Sequence, residues 1–494
     1  MRMFLVGNDA GTIRSYYMTS GKLLAELHTD GNSPIRSLAF APKSDAVLAG
    51  TDVGTWRWPF DPKHADASLS ALFGKVWYER YDEPSYEWQS SSADDAFEPK
   101  ISLVPLVFGT IKATIYSMLI GLPLAILAAI YTSEFLRGRL KSIIKPIVET
   151  MASLPSVVLG FLGAVVVAPL VQGNLASVLA VFITVPISIL LGAHIVQALP
   201  PSLRWRADRY RLGLTFVASM IGLSAVAPFG RFLERVMFAG SVHDWLDGQA
   251  GSAVSGWMML LLPISILVVT LATSLYVTPW LRNAGRKWSA QTAGLAHLAK
   301  FVVASIAVVG VAFGLAWLVP GDLRSGVEIG ALDISPIEGF DPRNALVVGF
   351  MMGFAVIPIM YTIAEDALSS VPSHLRAAAL GAGATSWQTA WRVVVPTAMS
   401  GLFSASMVGL GRAVGETMIV LMAAGNTALL SMNVFNGFRT LSANIATELP
   451  EAVRDSTHYK TLFLAALVLF AMTFVINTIA ESVRIRFRRR AFQL

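Results

Sequence analysis

The chain has 494 residues, of which 54 % are hydrophobic and only 14 % charged, against roughly 45–50 % and about 25 % in an average soluble protein. With a mean hydropathy of +0.59 there is too little charge to cover a soluble surface, and disorder, collagen and coiled coil are excluded as well. Cysteine is absent and Lys plus Arg (38) exceed Asp plus Glu (32); this removes disulfide scaffolds, thiolate metal sites and cysteine nucleophiles and leaves the basic excess that membrane chains place in cytoplasmic loops.

Residues 1–98 are polar and mixed. Short strand-like runs at 3–7, 12–18, 22–28, 35–41, 46–51 and 55–60 are split by turn signals such as Asp9-Ala10-Gly11, Thr19-Ser20-Gly21 and Asp52-Val53-Gly54. The segment IRSLAFAPKSDAVLAGTDVGTWRWPFD (35–61) resembles a WD40-type propeller repeat. Propellers close with about four to eight blades, so the resemblance implies the last part of a larger extracytoplasmic β-domain. A small unrelated β-region is the alternative.

From Ile101 onward nine continuous apolar runs follow, at 104–131, 152–172, 175–199, 212–228, 254–278, 301–320, 344–364, 398–424 and 461–480. Each is near the ~20 residues that cross a bilayer as a helix. Their continuity excludes the alternation of a barrel. The run at 212–228 is the shortest. Lys112, near the outer end of the first run, is expected to snorkel.

Basic residues sort by alternate loops. One set holds Arg137, Arg139, Lys141 and Lys145, the arginines of 204–211, Arg282, Arg286, Lys287 and Lys300, Arg376 and Arg392, and the five arginines of 484–490: nineteen in all. The other set, beyond the N-terminal region, has seven: Arg231, Arg235, Arg324, Arg343, Arg439, Arg454 and Lys460. The positive-inside rule puts the first set and the C-terminus in the cytoplasm. Nine crossings then put residues 1–98 outside. No apolar run precedes them to export them, so either an anchor upstream of Met1 is missing from this chain, the favoured expectation, or the first apolar run exports its own N-terminal side.

The longest loop of the basic set, 365–396, reads EDALSSVPSHLRAAALGAGATSWQTAWRVVVP. Gly383 followed by Ala384 permits a turn with φ > 0 between two short helices. Trp387 and Trp391, four apart, share a helix face; they suit a partner's groove or, alternatively, a membrane interface. This loop strongly resembles the EAA loop of ABC-importer permeases. Gly383 matches the family glycine, Ala378 and Ala379 its two alanines, and Val393, Val395 and Pro396 its terminal Ile-x-Leu-Pro; Ala377 stands where the family has a glutamate. The resemblance implies a helix–turn–helix that docks on an ATP-binding subunit, with Gly383, Ala384, Trp387, Trp391, Val393 and Pro396 as its coupling residues.

The next segment, GLGRAVGETMIVLMAAGN (409–426), resembles phosphate-importer permeases of the PstC type, as do PLVFGT (105–110), LPSVVLGFLG (154–163) and NVFNGFRTLSANIATELPEA (433–452). Residues 173–340 do not fit the compact pattern of that family and hold four extra crossings. Arg412 and Glu416 lie four apart, as if on one helix face near mid-membrane, where a charge costs at least ~2.5–3.5 kcal/mol on insertion scales. Arg412 can offer a bidentate fork to an oxyanion, Glu416 can hold that guanidinium, and Thr417 adds a hydroxyl. A buried ion pair that only fixes packing is the alternative. The resemblance implicates the charged residues of this helix, Arg412 and Glu416, with Thr417 beside them, in the substrate pathway.

Gly21-Lys22 and Gly74-Lys75 are followed by apolar residues, so neither is a phosphate-binding P-loop. No HExxH, GxSxG or paired-histidine spacing occurs, and no metal, cofactor or nucleic-acid partner is expected. The expected fold is therefore an all-α polytopic membrane protein of about nine transmembrane helices, an ABC-importer permease, with a partial β-propeller-like N-terminal region. The expected function is a non-enzymatic transport subunit for inorganic phosphate in a bacterial inner membrane. Its implied partners are ATP-binding ABC subunits that hydrolyse the ATP, a second permease subunit of PstA type, a periplasmic phosphate-binding protein and membrane lipid. Another oxyanion (phosphonate or sulfate) and a sensor or channel are the competing expectations.

Overall fold

A computed structural model describes residues 2–43, 45–89, 98–136, 138–319, 321–322, 328–329, 332–333 and 339–491. Ser44, Arg137 and Arg324 lie outside the described residues. Strands β1 (Met3–Gly7), β2 (Thr12–Tyr17), β3 (Leu23–His28), β4 (Ile35–Phe40), β5 (Ala46–Thr51) and β6 (Gly54–Pro59) come first. Helices α1 (Leu69–Phe73), α2 (Val104–Glu134), α3 (Gly138–Met151), α4 (Ser156–Leu162), α5 (Ala168–Gly173), α6 (Leu175–Ala198) and α7 (Pro201–Arg209) follow. Next are α8 (Arg211–Ser224), α9 (Val226–Met237), α10 (Val242–Leu246), α11 (Ala253–Ala272), α12 (Thr278–Ala284) and α13 (Ala290–Leu318), then the two-residue strands β7 (Glu328–Ile329) and β8 (Leu332–Asp333). The chain closes with α14 (Ala345–Ser369), α15 (Ser373–Gly381), α16 (Ser386–Thr389), α17 (Val395–Gly415), α18 (Met418–Ala423), α19 (Leu441–Glu448) and α20 (Thr457–Ala491).

The N-terminal strands form two antiparallel meanders, β1-β2-β3 and β4-β5-β6. Alternation places Ile13, Ser15 and Tyr17 inward on β2. Ile13 joins Val47, Ala49 and Phe60 in a small core shared by both sheets. Each sheet has three strands where a propeller blade has four, so the propeller likeness is not carried by the strand count.

Among the described residues eight helical segments are long and apolar enough to cross a membrane, and α8 with α9, bent by 41°, makes a ninth if taken as one span. The straight helix expected over 212–228 breaks after Ser224. Pro228 explains the bend, since it cannot donate to the Ser224 carbonyl and its ring crowds that carbonyl. The protein is a multi-pass α-helical membrane protein with a small β-region at its N-terminus.

The chain divides into two compact units. The first comprises residues up to Gly163, then Ala345–Leu430 and Gly437–Leu494; the second comprises Ala164–Asn344 and Ser431–Asn436. In the first unit α14 is the most buried span. It meets α2 where glycines remove side chains: a Cβ at Gly121 would lie 3.1 Å from the Gly353 carbonyl oxygen, the close backbone approach expected of small residues in a membrane interface. Ala125, Ala129, Met360, Ala364, Leu402 and Ala405 complete the seam of α2, α14 and α17. Lys112 does not snorkel. It is 1 % exposed, with Nζ 5.6 Å from the centroid of the Phe438 ring. The returning chain covers this end of α2: Thr110 Oγ1 accepts the Leu441 N–H at 3.1 Å, and Gly109 lies directly under the Arg439 carbonyl.

The second unit is built from α6, α8, α9, α11 and α13, and the whole 173–340 segment lies in it. Gly222 packs against the backbone of Thr184 and Val185, and Gly230 against Ser177.

Candidate functional site

Two features of the first unit hold the residues singled out in the sequence. In the first, α14 gives way at Pro372 to α15. The chain then turns at Gly383, whose φ is +89°. Nothing lies within 4 Å of the position a Cβ would take there, so the glycine serves the backbone and not packing. Gly383 N–H donates to the Leu380 carbonyl at 3.0 Å and Ala384 N–H to that of Ala379 at 3.1 Å. Thr385 starts α16 with a capping box: its Oγ1 accepts the Gln388 N–H at 3.2 Å and Gln388 Oε1 accepts the Thr385 N–H at 2.9 Å. Trp387 and Trp391 stack at 6.0 Å and 10° between ring planes. Both are more than half exposed, one beside and one within a π-helical turn at Ala390–Val394. Val393 is half-buried and its carbonyl accepts from Thr397 Oγ1; Pro396 opens α17 and is exposed.

What holds this loop carries no motif. Arg376 on α15 makes a fork on Glu134, the last residue of α2, with Nη2 to Oε1 at 2.9 Å and Nε at 3.2 Å from both oxygens. The same guanidinium caps the carbonyls of Leu368 and Val371 at the end of α14. Next to Glu134, Phe135 meets Trp387 at 6.1 Å. The C-terminal end of α2 thus grips both limbs of the loop. On α3, Lys141 and Lys145 converge on Glu365, at 2.5 and 2.9 Å, and Lys145 also reaches Asp366 at 2.5 Å. Hydrogen bonds that Lys145 Nζ donates to Asp366 and then Glu365 hold its amine above its ordinary range. Isolated charges beyond the end of an apolar run carry no periodic signal, which is why these partners were illegible in the sequence.

The second feature corrects the sequence reading. The run 398–424 is not one helix. α17 ends at Gly415, Glu416 is extended (ψ 128°), and α18 starts at Met418. Arg412 and Glu416 therefore do not share a helix face, and among the described residues no ion pair joins them. Arg412 is half-buried and its Nε is buried without a hydrogen-bond partner. The break is stabilised from outside the helix, because Ser442 Oγ on α19 donates to the freed Glu416 carbonyl at 2.8 Å. Glu416 Oε1 faces the Ile419 N–H of α18 at 3.5 Å, and Thr417 Oγ1 donates to the Gly415 carbonyl at 3.3 Å. An unwound backbone with an adjacent arginine and hydroxyls is tolerated at membrane depth only where protein or a water-filled path surrounds it.

At its other end α19 carries Glu448, which is 6 % exposed. Its carboxylate takes Arg439 Nη2 at 2.7 Å, His458 Nε2 at 2.9 Å and, from the N-terminal region, Trp88 Nε1 at 3.2 Å. One short helix thus links the β-region side of the unit to the break at Glu416.

Comparison with known proteins finds relatives among phosphate transport permeases. The chain is similar to the phosphate transport system permease protein PstC of Mesorhizobium japonicum, 35 % identical over 170 residues, 32 % of this chain and 52 % of that protein. It is similar to PstC of Xylella fastidiosa, 33 % identical over 162 residues (33 % and 48 %), and to PstC 1 of Mycobacterium tuberculosis, 36 % identical over 157 residues (31 % and 46 %). The chain spans about half the length of the curated relatives it matches. No family model and no solved structure matches it.

Proposed function

We propose that the chain is the transmembrane permease subunit of an ATP-driven importer of inorganic phosphate in a bacterial inner membrane. The observation that carries this is the loop 365–396: two short helices about a glycine at φ +89°, presenting a stacked and exposed tryptophan pair, in a chain similar to PstC permeases. A channel or sensor has no use for such a docking segment. The loop faces the cytoplasm, where an ATP-binding subunit hydrolyses the ATP; residues 1–98 and the turn near Ser431 face outward, toward a phosphate-binding protein. A second permease of PstA type completes the path, and Arg412, Glu416 and Thr417 line it at the helix break. Arg412 supplies a planar donor fork for an oxyanion, Glu416 repels anions from the empty path, and the strap through Ser442 fixes the break.

The test is reconstitution of the chain in proteoliposomes with an ABC ATPase, a PstA-type permease and a phosphate-binding protein from the same source. ATP hydrolysis should rise when phosphate-loaded binding protein is added, and should not rise with sulfate or phosphonate. Stimulation by one of those anions instead would move the assignment to another oxyanion, and no stimulation by any would remove it.

A further inference from the structure

The second unit has two ends of different character. At one end α6 runs out at Ala198, and Gly294 of α13 lies so near that a Cβ there would fall 2.3 Å from the Gln197 carbonyl oxygen. His194 stacks on Phe301 with ring centroids 4.6 Å apart, and Lys300 Nζ donates to Thr278 Oγ1 at 3.3 Å. These contacts fix the end of α6, the start of α13 and α12 side by side. The stretches that leave this end, 199–212 and 279–300, hold eight Lys and Arg against a single acid, Asp208. Among the described residues none of Arg204, Arg206, Arg209, Arg211, Arg282 and Arg286 makes an ion pair. Between them stand large aromatics turned outward: Trp205 is 74 % exposed, Tyr210 67 % and Trp280 66 %. At the opposite end, placed by Gly230 against Ser177 at the start of α6, Arg231 and Arg235 are accompanied by Glu234, Asp244 and Asp247.

We propose that the basic end of the second unit is a binding surface for anionic phospholipid headgroups. The short helix α7 and the start of α8, with four arginines over 204–211 interleaved with Trp205 and Tyr210, lie just past a span where the headgroup layer would be. Guanidinium groups fork onto phosphodiester oxygens. Indole and phenol rings settle at that same depth, and clustered basic residues beside a span draw anionic lipid from the surrounding bilayer. Charge complementarity selects an anionic lipid over a zwitterionic one, and the aromatic residues select a membrane surface over free phosphate or an acidic soluble protein. The inference needs only that the chain spans a membrane, and so stands or falls separately from the anion it transports.

The experiment uses the full chain, solubilised, stripped of lipid and re-equilibrated with phosphatidylglycerol and phosphatidylcholine in equal parts, and counts retained lipids by native mass spectrometry. Phosphatidylglycerol should be retained in preference. The combined change Arg204→Gln, Arg206→Gln, Arg209→Gln and Arg211→Gln should lower its retention about tenfold or more. The pair Arg231→Gln and Arg235→Gln at the other end should leave it unchanged. In the unaltered chain, raising salt from about 0.05 M to about 0.5 M should release the same lipids, so the proposal remains testable should the fourfold variant fail to insert. Equal retention of both lipids, equal loss in both variants, or displacement by inorganic phosphate would overturn it. Loss of a co-purifying acidic protein at an unchanged lipid count would also do so, and would assign the surface to that protein.

Discussion

Replacing Gly383 by alanine isolates the backbone requirement of the loop turn. Its φ of +89° lies in the left-handed region, and no atom stands within 4 Å of the added Cβ. Steric clash with neighbours therefore contributes nothing, and the cost is that of an L-residue held at positive φ, roughly 1–2 kcal/mol. If the ATPase binds only the turned form and the cost is not absorbed elsewhere, its apparent affinity falls by the fraction of chains left in that form. The expected weakening is at most about 5- to 30-fold. Asparagine tolerates this region better than alanine, so Gly383→Asn should lie between alanine and wild type. The assay is equilibrium binding of the ATPase subunit to the chain in nanodiscs, with membrane insertion checked on the same samples. Binding by Gly383→Ala equal to wild type, or an order in which asparagine is worse than alanine, would refute the claim that the turn is what the partner reads.

The Arg376–Glu134 fork should behave as one unit. Glu134 is 8 % and Arg376 23 % exposed, so Arg376→Gln should cost about 3 kcal/mol, the lower part of the range for breaking a buried pair. The double variant with Glu134→Gln should cost clearly less than the sum, and strict additivity in thermal unfolding would contradict the pairing. Trp88→Phe removes one hydrogen bond to the buried Glu448 and should loosen the N-terminal region by about 1–2 kcal/mol, read as faster proteolytic release of the segment before α2; unchanged release would speak against the tether. Lys145 has its affinity for a proton raised on folding, so its contribution is complete below the unfolded value of 10.5 and is lost only above it. Stability attributable to this group should be flat between pH 7 and about pH 9, with the difference between wild type and Lys145→Met constant there; a difference that shrinks across that window would contradict the assigned geometry.

Much of the fold was legible. All six N-terminal strands fall within a residue or so of the turn-bounded runs, because glycine- and Asp-containing turns separate each from the next. The spans follow from apolar length alone. What could not be read were features decided by distant partners. The carbonyl freed by the break at Glu416 is met by the hydroxyl of Ser442, 26 residues away, and within its own run that stretch is apolar enough to pass for a continuous helix. Lys112 looks like a snorkelling residue until the chain around Phe438 and Leu441 is laid over it. The Arg376 fork pairs residues 242 positions apart. Gly383 was legible for the opposite reason: the backbone demands it locally.

Uptake of labelled phosphate tests the proposed ATP-driven inward transport. Cells lacking their own high-affinity phosphate permease should regain saturable uptake of labelled phosphate when given this chain with an ABC ATPase, a PstA-type permease and a phosphate-binding protein from the same source, normalised to membrane-inserted complex. Gly383→Pro should abolish that uptake while insertion persists. Arg412→Lys should be poor, because lysine keeps the charge but loses the planar fork. Uptake no greater than in cells without the chain, or full uptake by the Arg412→Met, Glu416→Gln double variant, would contradict the account.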